Sequence, residues 1–305
     1  MKQKISRPRD ILYNQKWMAL VMGGPAILLL IVFLVLPFVF ALFYSFTNRS
    51  ILPTQLNPMR FIGLDNYREL VRDPVFYKAL GNNLFFTAIA VPVQCTLALF
   101  LAILVNRAVR GIGIFRAIYY SPVVIPAIIT SIMWALMLDP DKTGMINTLL
   151  SFLSGGHIRP LNWLYDQRTA MLSIIIMCVW SGVGYQMIIF LGGLQSIPKG
   201  LYEAASIDGA NGWQQFCHVT LPELSNVTVF VFLSSTIMSF KLFTQVFALT
   251  GGGPRYSTTT IVYMIYSSGY VDQRLGYSSA LSVVFFLIIL SLSLVQQSAT
   301  KMSKS

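Results

Sequence analysis

SIPKGLYEAASIDGANGWQQFCHVTLPEL, Ser196 to Leu224, stands between two long apolar runs, 171–194 and 226–249. Reversing a chain takes only a few residues, so a connection of this length carries structure of its own. Pro198 suits a first helical turn, and LYEAASID is rich in helix formers. Gly209 follows as a stop, because glycine takes the left-handed conformation at a helix end without strain. Asn211 then caps a second short helix bearing Trp213, Phe216 and Cys217. Leu221-Pro222 ends that helix and turns the chain into the next apolar run. Lys199 is set against Glu203, Asp208 and Glu223, so the stretch is acidic in a chain whose formal charge is +11. Helices that lie under lipid headgroups have basic polar faces, which this one lacks. The stretch therefore predicts a helix–turn–helix that docks onto a partner, with Glu203 at its exposed face.

Working outward, the chain has 305 residues, of which 55% are hydrophobic and 11% charged. A water-facing globule carries nearer a quarter charged residues, so the composition excludes a soluble domain. Six apolar segments, 18–46, 84–105, 117–137, 171–194, 226–249 and 278–297, are each long enough to cross about 30 Å of hydrocarbon at 1.5 Å per residue. The expected fold class is an all-α integral membrane protein with six transmembrane helices. The basic residues are scattered among apolar runs rather than gathered into a patch, which excludes nucleic acid as a partner. Cys95, Cys178 and Cys217 form no pair motif, and neither His157 nor His218 has a second ligand at metal spacing.

The first apolar run follows Lys2, Lys4, Arg7, Arg9 and Lys16, and it is too long for a cleaved signal sequence. It reads as an uncleaved anchor (18–46) behind a cytoplasmic N-terminus (1–17). Arg107, Arg110 and Arg116 in the loop before the third run, with Lys301 and Lys304 in the tail (298–305), place both termini in the cytoplasm. Segment 47–83 also carries Arg49, Arg60, Arg68, Arg72 and Lys78, so the bias is small. That segment holds Pro53, Pro58 and Pro74 around FIGLDNYREL (Phe61 to Leu70), which predicts an external loop with a short amphipathic helix. In the loop 138–170, a helical stretch at 145–153 followed by Gly155-Gly156 predicts a lid on the outer face.

The spacing Glu203-Ala204-Ala205, three residues, Gly209, nine residues, Val219, one residue, Leu221-Pro222 resembles the EAA loop of permease subunits in binding-protein-dependent ATP-binding cassette importers. Val219 replaces the usual isoleucine. TQVFALTGGGPRYSTTTIVYMIY (Thr244 to Tyr266) is similar to the threonine and triple-glycine segment of the sugar-importing branch, maltose and glycerol-phosphate type. FIGLDNY (Phe61 to Tyr67) resembles that branch's motif after the first helix. Thr244 departs from the acidic residue many relatives carry there. The resemblance implies a type I importer fold, with a core transmembrane domain at 84–297 and the EAA loop at 196–224. Glu203 would contact a cytoplasmic ATPase, one of a pair, Asp208 and Gly209 would form the turn, and Leu221-Pro222 would re-enter the membrane. A second permease chain and an external substrate-binding protein would complete the assembly, in a bacterial or archaeal cytoplasmic membrane.

No GxxxxGK[ST] occurs in the sequence, so ATP would be spent by the partner ATPase and no cofactor is expected on this chain. No nucleophile–base or paired-carboxylate motif points to an enzyme. Polar residues inside spans mark the expected substrate path, since they are costly facing lipid. They are Asn83, Thr87 and Gln94 in the second run, Ser181, Tyr185 and Gln186 in the fourth, and Ser234, Met238, Lys241 and Gln245 as one helical stripe in the fifth. Amides and aromatic rings suit a sugar, the rings stacking on C–H faces while amides meet hydroxyls. Lys241, charged within a span, points instead to an anionic solute such as glycerol phosphate. Interhelical contacts and a non-transporting membrane scaffold are the readings of another kind. Gly251 to Gly253 with Pro254 would let the backbone bend at the outer mouth.

Overall fold

The computed structural model describes residues 9–52, 58–106, 110–141 and 144–302. Lys2, Lys4, Arg7, Pro53, Arg107 and Lys304, used above, lie outside the described residues. The elements are helical throughout: α1 (Arg9–Leu30, carried on by a π turn at Ile31–Val35 into Leu36–Tyr44), α2 (Asp65–Arg72), α3 (Pro74–Val105), α4 (Ile112–Val124), α5 (Ala127–Met137) and α6 (Met145–Leu153). Then come α7 (Ala170–Ser196), α8 (Lys199–Ile207), α9 (Gly212–Glu223), α10 (Ser225–Phe240), α11 (Thr244–Leu249), α12 (Ile261–Val271) and α13 (Leu275–Met302). Among the described residues, four helices are long and apolar enough to span a bilayer, and counting each of the bent pairs α4–α5 and α9–α10 as one span gives six.

Two compact units divide the chain: Met1–Leu70 with Ser268–Val283, and Val71–Ser267 with Val284–Ser305. In the first, the FIGLDNY stretch is a clamp. The amide of Asn66 donates to the carbonyls of Ser45 and Thr47 at 2.8 and 2.9 Å, and the Tyr67 hydroxyl donates to Ser45 Oγ at 2.7 Å. These bonds satisfy carbonyls orphaned where α1 ends. The Glu69 carboxylate accepts from Arg274 at 2.5 Å, and this contact is the main reason the guanidinium's pKa is raised.

The second unit is built on α3 packed along α7, with α4 and α10 against that pair. Small residues permit the approach, as is usual between membrane helices. A Cβ at Gly184 would meet the Tyr119 carbonyl oxygen at 2.2 Å, so only glycine lets α4 lie this close. Two apolar clusters result, one around Phe86, Ile174, Met177 and Val246, the other around Ala98, Met187, Phe190 and Leu224.

The structure corrects three expectations. Residues 74–83, read as loop, are the first turns of α3, because Asp73 accepts from the Val75 N–H at 2.8 Å as a cap and Pro74 starts the helix. The third run, 117–137, bends by 95° between α4 and α5. Pro126 lacks an N–H and holds Ile125 in an extended conformation, so the helix cannot continue. The fifth run is likewise not one helix: α10 ends at Phe240 and α11 begins at Thr244, so Gln245 does not share a continuous stripe with Ser234, Met238 and Lys241. Pro222 stands where the sequence places the end of its helix: α9 stops one residue later, at Glu223, and the chain bends there by 64° into α10.

Candidate functional site

The stretch from Ser196 to Leu224 folds as its local chemistry dictates. At the end of α8 the Ala210 N–H bonds to the Ala205 carbonyl at 2.9 Å and the Gly209 N–H to that of Ser206 at 3.1 Å. This double closure requires a left-handed residue, and Gly209 has φ +81°. Asn211 Oδ1 accepts from the Gln214 N–H at 2.9 Å while Gln214 Oε1 accepts from the Asn211 N–H at 2.8 Å, a reciprocal cap that starts α9. The two short helices are then tied across the turn. Tyr202 and Thr220 share a hydroxyl contact of 2.9 Å, and Gln215 Nε2 donates to Ser206 Oγ at 2.9 Å.

What this element leaves outward mixes large apolar side chains with Glu203 and Asp208 and with the polar Lys199, Asn211, Gln214 and His218. Ile207 is 87% and Trp213 72% exposed, and the Trp213 ring lies 5.5 Å from that of Phe216. Glu203, Ala204 and Asp208 are exposed beside them, Leu221 and Pro222 lie exposed where α9 nears its end, and Ala205 is half-buried against the turn. Asp208 caps the C-terminal end of α8, where the helix dipole disfavours a carboxylate, so helix stability does not explain its place.

The polar residues expected along a substrate path divide into three groups. Asn83 is fully buried with its amide committed: Nδ2 donates to the Phe240 carbonyl at 3.2 Å and Oδ1 accepts from the Ile261 N–H at 2.9 Å. Both bonds go to backbone, and full burial keeps the amide from a solute. Its neighbour Asn82 donates to the carbonyls of Tyr256 and Thr259, both at 2.8 Å. The pair staples the segment after Gly251–Gly253 onto α3, and the glycines, with φ +56° and +80° at Gly251 and Gly252, form the turn that brings it there.

A second group lies where α3, α7 and α10 meet. Gln94 Nε2 sits 2.0 Å from where a Cβ on Gly182 would lie, Gln186 donates to Ser235 Oγ, and the Thr87 hydroxyl and Gln186 Oε1 are buried without partners. Tyr185 on the same helix as Gln186 is exposed. The third group surrounds the break after α10. Lys241 is exposed at the C-terminal end of that helix, and Gln245 lies with Ser181 on a cavity of about 350 Å³.

The sequence reading missed two features here. Phe243 stacks on Phe247 at 5.6 Å and lies 5.3 Å from Tyr266, which meets Phe247 edge-on at 5.5 Å, with Tyr263 beside them. These four rings are at most half-buried. Their signal was the aromatic spacing in the Thr244–Tyr266 stretch. Thr130 was also passed over, although Pro122 and Pro126 just before it announce a broken span.

The fold is that of a multi-pass helical membrane protein of the type I permease class, with a rigid two-helix connection between its fourth and fifth spans. Residues 78–301 match the family described as the binding-protein-dependent transport system inner membrane component, and the chain belongs to that family. It is similar to the arabinooligosaccharides transport system permease of Bacillus subtilis, 34% identical over 94% of this chain and 90% of the relative. The sn-glycerol-3-phosphate transport system permease of Agrobacterium fabrum is 32% identical over 94% and 96%. A chain in the crystal structure of a bacterial transporter that imports the acidic polysaccharide alginate superposes with a TM-score of 0.83. That match covers 96% of this chain and 98% of the other at 22% identity, a likeness of fold.

Proposed function

We propose that this chain is the membrane-spanning permease subunit of an ATP-driven importer, and that it passes a di- or oligosaccharide delivered by an external binding protein. The observation that carries the carbohydrate reading is the 34% identity to an arabinooligosaccharide permease along nearly the whole of both chains. The partly exposed rings of Phe243, Phe247, Tyr263 and Tyr266 support it, since aromatic faces stack on sugar C–H groups whatever the linkage.

The residue roles are those the EAA-loop resemblance implies, and the exposure of Glu203 and Asp208 supports them. Glu203, with Ala204, Ala205 and Asp208, docks into a cleft of a cytoplasmic ATPase, where Ile207 and Trp213 lose their contact with water. The closures at Gly209 and Asn211 keep the two short helices rigid, so movement of the ATPase pair passes through Leu221 and Pro222 into α10 rather than being absorbed by the turn. ATP is hydrolysed on the partner, and this chain holds no cofactor. A second, different permease chain forms the other half of the pore, both termini face the cytoplasm, and the setting is a bacterial or archaeal cytoplasmic membrane. ATP and the loaded binding protein both favour the outward state, so each strengthens the action of the other.

The test is uptake by membrane vesicles holding the whole assembly with its binding protein. Labelled arabino-oligosaccharide should accumulate with ATP, and excess unlabelled neutral oligosaccharide should abolish the signal while sn-glycerol 3-phosphate leaves it intact. Accumulation of glycerol phosphate that sugars do not displace would assign the solute class of the Agrobacterium relative instead.

A further inference from the structure

We propose that α6 is seated in lipid: its outward face, built from Met145, Leu149, Phe152 and Leu153, lies in the headgroup boundary of the bilayer and fixes the connection between α5 and α7 to the membrane surface. The inference goes beyond the importer reading and does not depend on which solute the chain passes.

The pattern of α6 is inverted for a helix facing water. Met145, Leu149, Phe152 and Leu153 stand at i, i+4, i+7 and i+8, which is one face of a helix, and all four are exposed, Phe152 by 81%. The side turned inward is polar. Asn147 is buried, and its Nδ2 donates to the carbonyls of Asp139 and Leu161, both at 3.1 Å. Its Oδ1 accepts from the Leu161 N–H at 3.1 Å and from Trp163 Nε1 at 2.9 Å. The helix thus commits its amide to the protein and turns four large apolar side chains out, an arrangement that water disfavours.

The same bonds fix the depth of that face. Asp139 is the second residue beyond the end of α5, and Ile146 packs against the cluster containing Leu138, Leu164 and Met171, at the ends of α5 and α7. Both helices belong to spans, so α6 is held at the level where two spans leave the hydrocarbon. Its nine residues reach about 13 Å, too short to cross a bilayer. At that level the neighbour of an outward apolar face is lipid.

The charges around α6 agree with this occupant. MINTLLSFL contains no charged residue. Arg159, Tyr165 and Arg168 in the connection that follows are exposed, and neither arginine is in an ion pair among the described residues. Basic side chains with apolar stems, and an amphipathic ring, are the groups that meet phosphates at headgroup level. The nearby acids are turned to backbone: Asp139 Oδ1 accepts from the Asp141 N–H at 2.9 Å and Asp166 Oδ1 from the Arg168 N–H at 2.8 Å. α6 differs here from α8 and α9, whose exposed Glu203 and Asp208 would face lipid phosphates with like charge. An interfacial helix ordinarily carries its basic residues on its own polar side. In α6 that side is used by the Asn147 bonds, and the arginines of the adjoining connection take the place of such residues.

The experiment is Phe152→benzoylphenylalanine, a photo-crosslinking residue, in the whole assembly. It is reconstituted with its binding protein in vesicles of phosphatidylethanolamine and phosphatidylglycerol, illuminated, and weighed by intact mass spectrometry. The expected product is this chain heavier by the mass of one phospholipid. A conjugate with the binding protein or with a second permease chain would overturn the proposal and make the face a protein interface. An unmodified chain would overturn it too, by placing the ring in water. If the Phe152 replacement fails to assemble, Leu149, one turn back on the same face, takes the probe with the same outcomes.

Discussion

Glu203→Ala is expected to abolish most ATP-driven uptake while leaving the chain inserted and folded. Glu203 is exposed on α8, whose own bonds (the double closure at Gly209, the Tyr202–Thr220 contact) do not involve its carboxylate. Its removal therefore costs the isolated chain little. In the proposed assembly Glu203 would enter a cleft of the ATPase, and truncating one member of a buried charge pair costs about 2 kcal/mol or more, a loss of about 30-fold in association. Co-purified ATPase per permease, measured beside uptake, checks this. Normal uptake by Glu203→Ala would remove the docking role.

The second large effect concerns stability rather than docking. Asn83→Leu deletes the partner of the Phe240 carbonyl and of the Ile261 N–H, both within the buried interior. Each buried backbone group left unpaired costs about 1–3 kcal/mol, so the pair costs about 2–6 kcal/mol. The unfolding temperature in detergent should fall by about 5 °C or more. A variant that melts with the wild type and loses only sugar binding would return Asn83 to the substrate path.

Asn83 also shows what the sequence could and could not convey. The connection from Ser196 to Leu224 was legible because its signals are local: Pro198 before the helix, Gly209 at the closure, and Asn211 with Gln214 three residues on. Apolar length alone marked out the six segments. The break after Phe240 was not legible, since Phe240-Lys241-Leu242-Phe243 holds neither proline nor glycine. Its cause is remote. Asn83 takes the carbonyl of Phe240, and the Thr260 hydroxyl takes that of Leu242 at 2.7 Å, replacing bonds a continuous helix would have made. A stripe drawn at helical spacing from Ser234 to Gln245 could not register bonds contributed by α3 and by the segment before α12. The opposite holds for the bend at Pro126, where the local signal was present and the apolar length of 117–137 masked it.

Lys241 illustrates the same lesson in its chemistry. Read as a charge inside a span, it favoured an anionic solute. At the exposed end of α10 it is a cation near a helix C-terminus, a placement the helix dipole favours without any ligand.

The most direct test of the assembly is to purify the tagged chain in gentle detergent and identify by mass spectrometry what accompanies it. A cytoplasmic ATPase and a second six-span subunit, both depleted by Glu203→Ala, are the predicted result. A chain recovered intact and alone would contradict it.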